Sequence, residues 1–387
     1  IGPNIWKNSI IKALNFFNKE RCGISIPGVH GICHRDWRCL HGDKQIIING
    51  GWHDAGDLTQ GLTHTCEAVY AMFKLAERKD IKEGDDELYQ VLIEEAKWGL
   101  DWILKTSFRD GYRFGGSANS RKTNGIIGDF DDVIATARNT PIDHLLAAAS
   151  EAIAFRILSE DNPQLANYSL KMAEEDWLFA VEELKKNNEN KDERVFRGTF
   201  DPNYVEHVIA STGILAAVEL WKATQKQQYV VKAFNWAHLI INAQQRNKPN
   251  WDVPITGFFY TSTRKDQILH YVHRGNEQAP ILALSQLCTL FPDHPDWMAW
   301  YSTVVYHSEY LKHIAKYTEP YNVMPASIYS DQEYLLAPAS RRDFFREQVL
   351  NGIPLGKGHY LRLFPVWMDY RGHFGVILPQ AQASVYA

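Results

Sequence analysis

The 387-residue chain lacks the features that would tie it to nucleic acid, a membrane or a disulfide scaffold. Its 41 Lys and Arg are outnumbered by 46 Asp and Glu, for a net charge of −5, and no basic run is present. A phosphate backbone selects the opposite balance, so nucleic acid is excluded as an expected partner. No apolar run approaches the roughly 20 residues that a membrane-spanning helix needs, so no span is expected. Cysteines are few and odd in number: Cys22, Cys33, Cys39, Cys66 and Cys288. An odd count excludes a complete set of disulfides within one chain. Alternating strand patterns are scarce, with Ile46-Ile47-Ile48 the one short candidate. No Pro/Ser-rich linker or shift in composition divides the chain, so a single domain over 1–387 is expected. No signal-peptide pattern opens at Ile1, and the compartment is not read from the start of the chain.

What is abundant is helical periodicity. The composition, 45% hydrophobic and 22% charged, is that of an ordinary globular protein. Leu170, Ala173, Trp177, Ala180, Val181 and Leu184 recur at spacings of three and four, and Val230, Ala233, Ala237, Ile240 and Ile241 repeat the pattern. Further helices are predicted near 6–20, 61–79, 87–105, 142–158, 204–224, 276–290, 297–315 and 373–386, with Asp86 and Pro295-Asp296 as start signals for two of them. The helices pair through short links. Longer segments, 107–140, 189–203, 247–275 and 316–372, separate the pairs. Long connections in compact domains often carry function. The pattern predicts an all-α chain, a barrel of helical hairpins with its loops gathered at one end.

The chemistry concentrates in Gly50-Gly51-Trp52-His53-Asp54-Ala55-Gly56-Asp57. Glycines admit turns that other residues resist, so this loop can aim Asp54 and Asp57 into one cleft. Paired carboxylates are the tools of glycoside hydrolysis, where a base activates water against an anomeric carbon. The plain alternative is a surface Asp-Gly turn. Cys22, Cys33 and His34 precede His53, and two thiolates with two imidazoles suit a closed zinc shell. Such a zinc would pin the carboxylate loop to the first helix. The alternative is a set of unrelated buried cysteines and a hydrogen-bonded histidine. Trp52, Tyr112, Phe114, Trp251, Phe259 and Trp367 lie in or beside loops, and up to half are expected to stack on sugars. Arg341, Arg342, Arg346 and Arg362 are solvated by default, and one facing a cleft would bind a uronate or sulfate.

Phe16-Phe17, Arg21-Cys22-Gly23, Cys33-His34 and the Gly-Gly-Trp-His-Asp-Ala-Gly-Asp run together resemble the family 9 glycoside hydrolases, most strongly over 15–80. They are closest to the subgroup in which an immunoglobulin-like domain precedes the barrel. That domain would lie outside this chain. The resemblance implies an (α/α)6 barrel and a structural zinc on Cys22, Cys33, His34 and His53. It makes Asp57 the water-activating base, with Asp54 orienting it. It also implies inverting hydrolysis of a β-linked glucan or related oligosaccharide, and a place of action outside the cytoplasm. The family carries its acid as the Glu of an Asn-Glu pair opening the last helix. Here Tyr370-Arg371-Gly372-His373-Phe374-Gly375 stands there without a Glu. Candidates for the acid are Glu277, Glu333 and, third, His373 acting as an imidazolium. Trp52, His373, Arg274, Trp251 and Tyr112 are the candidate sugar contacts. The missing acid keeps two alternatives open: a barrel that binds carbohydrate without cleaving it, and a uronate-handling lyase or hydrolase on the same type of barrel.

Overall fold

The computed structural model describes residues 5–54, 58–117, 122–189, 206–270, 279–322, 324–336 and 339–363. Asp57, Arg274, Glu277, Trp367, His373 and the helix expected at 373–386 lie outside these residues. In chain order the elements are α1 (Ile5–Lys19), β1 (Trp37–His41), β2 (Lys44–Ile47), β3 (Gln60–Gly61), α2 (Leu62–Ala76), α3 (Lys79–Lys82), α4 (Asp86–Lys105), β4 (Gly116–Ser117), β5 (Val133–Thr136), α5 (Pro141–Leu158) and α6 (Pro163–Glu189). There follow α7 (Glu206–Thr224), α8 (Gln227–Asn242), α9 (Ala279–Leu290), α10 (Trp297–Ala315), β6 (Ser327–Ser330), α11 (Arg342–Leu350), β7 (Ile353–Gly356) and β8 (His359–Arg362). The chain divides into two compact units, Ile1–Lys191 with Leu215–Val230, and Asp192–Ile214 with Val231–Ala387.

The first unit is organised on α5. Nearly every residue from Pro141 to Ala154 is buried, so this helix shows no amphipathic stripe and packs on α2, α4 and α6. Pro141 opens it, where a missing N–H costs nothing. Its buried polar side chains all find partners. Asp143 pairs with Arg138 at 2.7 Å, Ser150 Oγ donates to the Cys66 carbonyl at 2.8 Å, and His144 Nδ1 lies 2.6 Å from Asp176. Glu151 and Asp176 both hold the fully buried Arg113 guanidinium, Glu151 at 2.8 Å. The helix α4 starts one residue earlier than expected. Its cap is Asp85, whose carboxylate accepts the Leu88 N–H at 3.3 Å, while Asp86 and Glu87 favour the positive end of the helix dipole. Gly99 stands inside α4 for a packing reason: a Cβ there would stand 2.3 Å from the Trp52 ring and 2.5 Å from Val69.

This unit also holds two small sheets. β2 pairs antiparallel with β1, bearing out the short strand expected near Ile46, and β5 pairs parallel with β1. β3 and β4 make a two-residue antiparallel pair.

In the second unit, Ile255, Phe258, Ile268, Tyr310, Ile314, Ile328, Leu355 and Leu361 form a buried cluster. The segment 316–372 was expected to be a loop. Its described part instead holds the antiparallel sheet β6-β8-β7 and the short helix α11. Tyr329, Phe345 and Val349 make a smaller cluster beside that sheet.

Candidate active site and metal centre

The end of α1 runs straight into the first ligand. The Cys22 N–H donates to the Gly51 carbonyl at 2.9 Å, and Arg21 and Trp52 form an antiparallel bridge. The Gly23 N–H donates to the Cys33 carbonyl at 2.9 Å. These bonds fold three segments, 20–23, 33–34 and 50–54, onto one point.

At that point the ligand atoms of Cys22, Cys33, His34 and His53 all lie within 4.8 Å of one another, and all four residues are buried. His53 Nδ1 stands 3.1 Å from Cys22 Sγ and 3.9 Å from Cys33 Sγ. Its other nitrogen, Nε2, lies 2.7 Å from the Glu20 carboxylate. His34 places Nε2 at 3.0 Å from the Leu58 carbonyl and leaves Nδ1 buried without a partner. Each imidazole therefore gives one nitrogen to an oxygen outside the cluster and turns the other inward, the arrangement by which outer partners orient metal-binding histidines. His34 adopts φ +61°, a left-handed conformation uncommon outside glycine and held here by the surrounding bonds. The Cys33 thiol is held far below its ordinary range, first by the hydrogen bond from Cys22, then by His34 and His53 against its burial. Burial pushes Cys22 the other way. For His53, burial opposes the charged form. The hydrogen bond with Cys33 and the charges of Cys33, Glu20 and Asp54 outweigh it and raise the pKa. Two thiols and two imidazoles around one point, with an orphaned Nδ1 among them, fit a four-coordinate zinc. Cys39, Cys66 and Cys288 are free thiols away from this cluster.

Asp54 follows His53 directly. Its N–H donates to the Thr59 carbonyl at 3.0 Å, closing the loop, while the His53 N–H donates to the Glu20 carbonyl at 3.1 Å. Asp54 lies in the wall of a pocket of about 250 Å³ with Phe16, Phe17, Trp52, His53, Thr59, Gly61, His64 and Thr65. Phe17 and Trp52 meet edge to face at 5.1 Å. The pocket thus joins apolar ring surface to a carboxylate, which is the lining that a partly apolar, hydroxyl-bearing ligand requires. His64 and Thr65 on α2 are wall residues that the sequence pattern did not single out. Their spacing from Asp54 carries no motif, since only the fold turns α2 toward the loop.

The other expected contacts sort by burial. Phe114 and Phe259 are buried in their units and offer no face to a sugar. Tyr112 is 36% exposed and stacks on His41 at 4.0 Å. Trp251 lies against His359 at 4.1 Å and Phe258 at 5.8 Å, both nearly parallel. Glu333 is not a solvated loop residue. It is 7% exposed, accepts the Ser330 N–H at 3.2 Å and stands 3.0 Å from His270 Nε2, whose ring stacks on Tyr329.

The sequence profile described as Glycosyl hydrolase family 9 matches residues 6–336. Endoglucanase D of Acetivibrio thermocellus is 26% identical over 257 residues, covering 59% of this chain and 40% of that protein. The chain therefore spans about two-fifths of the length of this curated relative. A metagenome-derived glycoside hydrolase family 9 endoglucanase superposes with a TM-score of 0.57 at 19% identity, covering 87% of this chain and 60% of its own. The endoglucanase of the termite Nasutitermes takasagoensis does so with 0.55 at 16%, covering 89% and 73%. The fold is all-α, the (α/α)6 barrel of these structures.

Proposed function

The chain belongs to glycosyl hydrolase family 9, and from that premise we propose that it is an inverting glycoside hydrolase of β-linked glucans or related oligosaccharides. The observation that carries this reading is the wall position of Asp54, one residue after a zinc-type ligand and facing an aromatic pocket. Curated and solved relatives named as endoglucanases support the substrate class. Asp57, three residues on, takes the role of base, drawing a proton from the water that attacks the anomeric carbon. Asp54 orients that water and the base. An inverting reaction needs a second carboxylic acid across the cleft to protonate the leaving oxygen. We assign it to Glu277. Glu333 is the weaker candidate, because one oxygen accepts a backbone N–H and the other faces a buried imidazole. Trp52, 6% exposed with its indole N–H held by Glu95, is packed into the pocket wall rather than offered as a platform, and Tyr112, Trp251, Arg274 and His373 remain the proposed sugar contacts.

Zinc held by Cys22, Cys33, His34 and His53 has a structural role in this reading: a closed shell of four protein ligands leaves no position for substrate. It ties the Asp54 loop to the end of α1. The proposed place of action, outside the cytoplasm, rests on the family resemblance alone. A preceding immunoglobulin-like domain is proposed as the barrel's partner.

The test follows anomeric configuration by NMR on a panel of neutral and uronic oligosaccharides. Hydrolysis with inversion, lost in Asp57→Asn and in Glu277→Gln but retained in Glu333→Gln, is the expected result. Activity that survives in Asp57→Asn removes the base from this assignment. No cleavage of any glycan, with binding retained, leaves a carbohydrate-binding barrel instead.

A further inference from the structure

The helix α4 points three polar-tipped side chains, Glu95, Trp98 and Trp102, along one face at spacings of three and four. All three reach the segment that leads into Asp54. Glu95 Oε1 accepts the Trp52 indole N–H at 2.8 Å. The Trp98 indole donates to the Gly51 carbonyl at 2.8 Å, and the Trp102 indole to the Ile48 carbonyl at 3.1 Å. Gly50 and Gly51 have φ of +95° and +65°, so this stretch cannot continue a strand. Its buried carbonyls must find donors elsewhere. The indoles supply two, and the Gln60 amide supplies the Gly50 carbonyl at 2.7 Å.

Glu95 is the fixed point of this row. It is 3% exposed and holds Arg21 through both oxygens, Nε at 3.0 Å and Nη2 at 2.8 Å. Arg21 bridges the Trp52 backbone and lies 4.7 Å over the Trp98 ring. The fit has no slack, since a Cβ on Gly51 would stand 2.7 Å from Trp102. A buried ion pair seldom stabilises a fold more than apolar side chains of the same volume. What this pair does instead is set direction. The Trp52 indole N–H and its backbone are each fastened to the Glu95–Arg21 unit, and the next two residues are a zinc-type ligand and the pocket carboxylate.

We propose that Glu95 is a positioning residue: through Trp52 and Arg21 it fixes the angle at which the loop presents Asp54 to the pocket. Glu95 itself is outside the pocket wall. The inference rests on the hydrolase reading above for its kinetic readout, but not for its structural one.

The experiment uses the full chain with cellopentaose as substrate, comparing Glu95→Gln, Trp52→Phe and the double variant. The amide keeps the volume of Glu95 but faces Arg21 with a donor or loses the indole. The expected result is a fall in kcat of about tenfold for each single variant, with KM within about twofold. The double variant should fall no further than about twentyfold, because both changes cut one linkage. A Glu95→Gln enzyme within about twofold of wild type in kcat, or a double variant that loses the product of the two single losses, about a hundredfold, overturns the proposal. If Glu95→Gln does not fold, Arg21→Lys replaces it, since it breaks the two-point bond to Glu95 and keeps the charge. A kcat loss of about threefold or more at constant KM then supports the linkage, and no loss overturns it. If the wild type cleaves no cellopentaose, an oligosaccharide of the panel above that it does cleave takes its place, and if it cleaves none the hydrolase reading fails by itself. The linkage is then read from ¹⁵N–¹H spectra of the same variants: shifts at the Trp52 indole and the His53 and Asp54 amides support it, and unmoved resonances overturn it.

Discussion

At the scale of single residues, the loop from Gly50 to Asp54 serves two sites through adjacent side chains. His53 turns Nδ1 toward Cys22 and Cys33, and Asp54 faces the pocket. The four metal-type ligands were legible in the sequence because thiols and imidazoles are rare enough to be noticed together. Their convergence was expected from the resemblance and is seen in the structure; spacing alone does not encode it, since it depends on backbone bonds between 22 and 51 and between 23 and 33. Two predictions belong here. If the four ligands hold zinc as proposed, His53→Ala should abolish its binding and lower stability by about 3 kcal/mol or more, because the buried thiols lose their charge partner as well as the metal. Elemental analysis and urea unfolding check it, and a variant that keeps full zinc and full stability refutes it. Asp54→Asn should lower kcat about a hundredfold while KM moves little, if the carboxylate orients the reacting groups rather than the sugar. Steady-state kinetics on a soluble β-glucan oligosaccharide decide.

At the scale of elements, long helices were readable and short elements were not. α2, α4 and α10 carry enough turns for their one-sided periodicity to show, and their observed bounds fall within a few residues of those expected. α11 has nine residues with only Phe345 and Val349 buried, too few to mark a face against its charged neighbours. The strands β6, β7 and β8 have four residues each, so alternation had no length in which to appear. The polar network on α5 was equally hidden. Arg113 reaches Asp176 across 63 positions and Glu151 across 38. Replacing the guanidinium by a thioether, Arg113→Met, strands two buried carboxylates and should cost about 3–5 kcal/mol. Chemical denaturation measures it. A loss under about 1 kcal/mol would mean that the carboxylates protonate at little cost.

At the scale of the whole molecule, stability should fall on the acid side in two stages. Burial lowers His207 to about 3 and His307 to about 4, so the fold holds both rings neutral. Above their unfolded pKa, near 6.5, neither state is protonated and nothing is lost. Below it the unfolded chain takes up protons that the native chain refuses. Stability therefore declines from about pH 6.5 toward about pH 4 through His307 and on toward about pH 3 through His207. Glu77 opposes its own burial with hydrogen bonds from Arg156 and Lys74, which hold its carboxyl near 2, so its contribution persists above its unfolded value and disappears between about pH 4.5 and 2. Urea midpoints measured against pH should show both declines. His207→Leu should remove the larger part of the first, leaving the share of His307, and leave the second unchanged; an unchanged first stage would remove His207 as a cause. The sequence by itself determined the helical class, the family, the carboxylate loop and the identity of the metal-type donors, because these depend on spacing and residue type along a short stretch. The tertiary structure alone decided which buried polar groups meet. Trp52 finds Glu95 across 43 positions, and no local pattern encodes that pairing. It arises because α4 packs on the loop, and each buried donor must then find an acceptor within reach.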